Sequence, residues 1–154
     1  MKKIKSLVSM PEGRNDKSDV MWLDRMWYPV YFGFCPNEEA WKKEVKRLNL
    51  TLHEAPYPTK KDACCSTFTL WGEASCIITV GKSMDVKNLT HVFSLLSHEC
   101  VHIWQEICEQ MGEKHPSEEF EAYTVQYLSL EICNAYMRSG RYEGIEAFKQ
   151  HYNL

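Results

Sequence analysis

No stretch of this 154-residue chain approaches the roughly twenty consecutive apolar residues of a bilayer-spanning helix, so none of it reads as a membrane anchor. Basic residues are not in excess. Eighteen Lys and Arg stand against twenty-one Asp and Glu, a net charge of −3 with both signs spread along the chain, which gives no footprint for a polyanion such as nucleic acid. The cluster Lys2, Lys3, Lys5 is too small to alter that. Only a few apolar residues follow it before Pro11-Glu-Gly, too few for a secretory core, and the expected compartment is the cytoplasm. Repeats, low-complexity tracts and linker-like segments are also missing, so a single domain is expected over 1–154, with a loose polar start to about Lys17. The seven cysteines are odd in number and lack CxxC spacing, which argues for reduced, packed thiols rather than a disulfide framework or a zinc ribbon. Cys64-Cys65, adjacent on a strand, point to opposite faces and read as packing.

What the chain does have is a long segment without Gly or Pro, from about Val86 to Met111 and closed by Gly112, which predicts one helix with a glycine cap. Phe93, Leu96, Cys100, Ile103, Trp104, Ile107 and Met111 gather on its apolar side. His98 and His102 lie opposite, with Ser94, Gln105 and Glu109. They belong to His98-Glu99-Cys100-Val101-His102, an HExxH pattern whose i,i+4 spacing brings two imidazoles to one face, where they can share a Zn²⁺ ion. Glu99, between them, is placed to act on water beside the metal as general base.

A catalytic zinc commonly has three protein ligands and one open position. Ser117 predicts the cap of a second helix running to about Arg138, antiparallel to the first. Glu121 shares a stripe there with Val125, Leu128 and Ile132, so a buried, partnered carboxylate is expected and it is the leading third ligand. Glu118 shares part of that face; Glu118 and Glu119 read first as acids complementing the helix N-terminus. Tyr123, Tyr127 and His115 are candidate donors to an oxyanion or substrate.

His98-Glu-Cys-Val-His102, eighteen intervening residues and then Glu121-Ala-Tyr resemble the gluzincin division of the zincin metallopeptidases. The wider stretch from His98 to Gln126, about a fifth of the chain, is similar to small metallopeptidases encoded by bacteriophages and prophages. The resemblance implies His98, His102 and Glu121 as zinc ligands, Glu99 as base, and a peptide or protein as substrate. His115-Pro-Ser-Glu-Glu-Phe120 also resembles the third-histidine segment of SprT-type proteases, which keeps His115 open as the third ligand. The metzincin arrangement, with a glycine and a further histidine soon after His102, is absent. From a different class, a zincin-like module that binds a host protein without cleaving it remains the alternative.

Upstream, Trp27 to Phe34 predicts an aromatic strand, with Pro29 suggesting an edge. Asn37 caps a helix through Leu48 on which Trp41, Val45 and Leu48 align. Ala63 to Trp71 and Ser75 to Val80 predict a hairpin around Gly72-Glu73. The zincin resemblance implies that Cys76 to Val80 forms the upper edge of a cleft, where substrate adds as a strand. Arg141 to Leu154 predicts a short last helix. The expected fold is α+β, a small antiparallel sheet on a helical layer.

Overall fold

The computed structural model describes residues 19–70, 72–81 and 88–141. The expected loose segment to Lys17, Trp71, the residues around Val86 and nearly all of the expected final helix lie outside them. Seven elements follow in order: β1 (Met21–Trp22), β2 (Val30–Cys35), α1 (Glu38–Arg47), β3 (Ala63–Leu70), β4 (Glu73–Val80), α2 (Leu89–Met111) and α3 (Glu118–Arg138). The class is α+β.

The sheet runs β1-β2-β4-β3 and is mixed. Strands β1 and β3 are antiparallel to their neighbours, whereas β2 and β4 pair in parallel from Val30 opposite Ala74 to Cys35 opposite Thr79. This corrects the all-antiparallel expectation. Parallel neighbours need a crossover, and the β2–α1–β3 passage supplies it. Pairing on both sides also moves β2 and β4 to the interior, where each is nearly continuously buried, as suits the largely apolar runs VYFGFC and ASCIITV. Pro29 precedes β2 rather than marking it as an edge. The strand Cys76 to Val80 is likewise central, and among the described residues the edge left open next to α2 belongs to β3.

Both faces of the sheet are covered, so the helices form two layers rather than one. Phe32, Phe34, Cys76, Ile78 and Val80 pack with Leu96, Ile103 and Ile107 of α2 and with Leu128, Ile132 and Tyr136 of α3. On the opposite face Trp22, Cys35 and Ile77 meet Trp41 and Val45 of α1. There the Glu44 carboxylate accepts from Trp22 Nε1 at 3.2 Å and Arg47 Nε at 3.0 Å, so this buried acid is paired.

Asn37, Asn88 and Ser117 cap the three helices through side-chain oxygens, and Gly112 ends α2 at φ 67°, the left-handed conformation glycine tolerates. Met111, expected in the core, is 41% exposed because α2 has run past its packing partners by its last turn. Among the described residues no helix is long and apolar enough to cross a membrane.

Gly81 closes the β3–β4 ladder, its N–H donating to the Asp62 carbonyl at 2.8 Å. A Cβ there would lie 1.9 Å from the Lys61 carbonyl oxygen, with backbone rather than a flexible side chain in the way. Gly81→Ala is expected to destabilise the protein by about 1–3 kcal/mol, as a forced fit in a packed site does, and a denaturant melt measures it.

Candidate functional site

Among the described residues, strand β3 pairs on one side only, with β4, and its other side is open. The Asp62 carbonyl faces Gly81 and the Cys64 carbonyl faces Thr79, so even-numbered residues turn their backbone groups toward β4. Ala63, Cys65, Thr67 and Thr69 therefore turn theirs to the open edge. Helix α2 lies beside that edge, and between them runs a cleft of about 440 Å³. Lys61, Ala63, Cys64, Cys65 and Thr67 line one side of it. His98, Glu99, His102, Gln105, Glu106 and Glu109 line the other.

The HExxH turn is split by burial as its spacing demands. His98 and His102 are exposed to the cleft, with ring centroids 5.2 Å apart and planes at 81°. Glu99 is 9% exposed and points to the strand, where its Oε2 accepts the Cys65 backbone N–H at 2.7 Å. A buried carboxylate needs such a donor, and an edge strand has donors to spare. The bond thus ties the acid to β3 beside two imidazoles.

His102 Nδ1 lies 3.0 Å from Gln105 Oε1. An amide oxygen only accepts, so this contact suits the tautomer with the proton on Nδ1, in which the Nε2 lone pair would be left for a metal. Gln105→Ala is expected to weaken zinc binding about tenfold while Gln105→Glu, which keeps the acceptor, largely restores it; competition titration against a chromophoric chelator reads both.

The histidine pair fits a metal ion, but the structure does not bring the expected third donor to it. Glu121 is exposed on the first turn of α3 and lies outside the cleft, and this corrects the expectation of a buried carboxylate. The physical reason is the register of the helix hairpin. Helix α2 continues nine residues past His102, so Glu121 comes near Cys108, whose thiol its charge pushes up after burial does so. Cys108 is six residues beyond His102, about 9 Å along the axis. Glu121 shares a stripe with Leu128 and Ile132, yet it is exposed: in these first turns of α3 it is Phe120 and Thr124 that pack inward. Furthermore, α2 faces α3 through Cys100, bonded to Ser129 and about 200° round from either histidine.

Glu118, Glu119 and His115 are exposed and also outside the cleft lining. Tyr123 is 67% exposed on α3. The Tyr127 hydroxyl, pushed up to about 12 by burial, donates to the Asp24 carbonyl at 2.8 Å and so secures the β1–β2 loop instead of facing the histidines. Among the described residues no three His, Cys, Asp or Glu side chains are grouped to hold a metal.

Cys65 lies in the cleft wall, and its thiol is held far up by a hydrogen bond with Cys76, by burial and by neighbouring charges including Glu99. It stays protonated, a packing residue as the sequence suggested. The Cys65 amide was not legible in the sequence, because every strand residue carries the same group. Gln105 was: it sits one turn after His102 on the same face.

No protein family, no curated protein and no solved structure matches this chain.

Proposed function

We propose that the chain is a zinc-dependent peptidase that binds an extended peptide along the open edge of β3. The observation that carries this reading is the hydrogen bond from Cys65 N–H to Glu99, which sets a carboxylate, two imidazoles and a free strand edge in one cleft. His98 and His102 would hold the ion. Zinc bound there would polarise a carbonyl and acidify water.

The rest falls to the protein's own groups. Outward backbone groups of β3 at Thr67 and Thr69 would pair with a substrate main chain, fixing its depth in the cleft. Glu99 Oε2 is engaged by the Cys65 amide, so Oε1 is the oxygen to take a proton from water and pass it to the leaving amine. Burial against β3 restricts the rotation of this carboxylate, which keeps the proton transfer short.

A second reading, a peptide-binding module without hydrolysis, is favoured by one observation: the absence of a third donor beside the histidines among the described residues. Digestion of a broad peptide library, read by mass spectrometry with and without chelator, separates the two. Reproducible cleavage that the chelator stops supports the peptidase; a library left intact in both arms leaves the module.

A further inference from the structure

The cleft carries opposite charge at its two ends. Lys61 stands just before β3, at the end where Gly81 closes the ladder. Glu99 meets the strand at Cys65. Glu106, two turns further along α2, acts electrostatically on Cys76, the partner of Thr67, and Glu109 lies one turn beyond it. Helix and strand therefore advance together, and the acids line the Thr67 end while the lysine lines the Ala63 end. Glu106 also accepts from Gln110 Nε2 at 2.8 Å, which steadies its carboxylate on the cleft side of the helix.

Antiparallel pairing is slightly the more stable per residue, and β3 already pairs that way with β4. A peptide added antiparallel to β3 has its N-terminal half against Thr67 and its C-terminal half against Ala63. We propose that the cleft selects peptides with Lys or Arg in the half that meets Glu106 and Glu109, N-terminal to the residue beside Glu99, and with an acidic side chain in the half that meets Lys61. This rests on reading the cleft as a peptide site; it does not require hydrolysis. The charges are exposed enough for the preference to be salt-sensitive and modest per pair, while their sum along one strand gives it direction.

The test uses a fluorescein-labelled nonapeptide with Lys and Arg in its N-terminal third and Asp and Glu in its C-terminal third, alongside its charge-swapped isomer. Anisotropy titration of the full-length Glu99→Gln protein, which cannot consume either peptide by the route above, is expected to show the first binding about fivefold or more tighter at low salt. The gap should close toward 1 M salt, where charges are screened within about 3 Å. Glu106→Gln with Glu109→Gln should remove most of it, and Lys61→Gln part of it, circular dichroism confirming that each variant is folded. Equal affinities, the opposite preference, a preference that survives the double variant, or no binding of either peptide would overturn the proposal. Wild-type cleavage is scored apart: directional binding without cleavage leaves this inference standing and removes the peptidase.

Discussion

Glu99→Gln is expected to keep the protein folded and its zinc content intact while lowering peptide hydrolysis by about a hundredfold or more, the usual cost of removing a general base. The substitution suits the question because the amide oxygen of Gln can still accept the Cys65 N–H that Glu99 Oε2 accepts at 2.7 Å. What it loses is the charge and the basicity. Glu99→Ala asks something different: it leaves the amide on β3 without its partner and is expected to cost about 1–3 kcal/mol of stability besides activity. Denaturant melts of the pair therefore divide the structural role of this acid from its chemical one. Hydrolysis at the wild-type rate by a folded, zinc-loaded Gln variant would remove Glu99 from the mechanism.

The second large effect concerns the metal. Either His98→Ala or His102→Ala should abolish stoichiometric zinc binding with little change in stability, since both rings are exposed in the cleft. Glu121→Gln should leave the zinc affinity where it was, because the hairpin register sets that carboxylate by Cys108 and not by the histidines. Metal analysis after gel filtration, followed by competition titration, gives all three values. A loss of affinity in Glu121→Gln comparable with the histidine variants would mean that the zinc-bound protein brings α3 to the site in a register this structure does not have. That result would strengthen the gluzincin resemblance. Unchanged zinc content in both histidine variants would defeat the site itself.

Much of this arrangement could be read from local signals. The caps Asn37 and Ser117, the Gly112 stop and the hairpin glycine at φ 86° follow from rules that involve only a few neighbouring residues, and the helices and strands begin and end close to where those rules put them. The opposite placement of His98 and His102 relative to Leu96, Cys100 and Ile103 follows from helical periodicity alone. The errors came where one element must choose among partners. Val30 to Cys35 carries an apolar run that suits any buried strand, and the run does not say whether its neighbour is parallel, so the mixed sheet and the interior place of β2 and β4 were not legible.

Glu121 shows the same limit at the site. Its stripe with Val125, Leu128 and Ile132, at steps of four, three and four, is real, but a helix face is buried only where something packs on it, and α3 presents Phe120 and Thr124 to the core at that level. By itself, then, the sequence determined the helix that bears His98, Glu99 and His102 and the single face on which the two imidazoles meet, because four-residue spacing has one geometric consequence on a helix. Tertiary structure alone decided which strand lies open beside them, which amide holds Glu99, and that Glu121 stands by Cys108, because strand order and hairpin register are set by packing between distant segments and leave no mark in local periodicity.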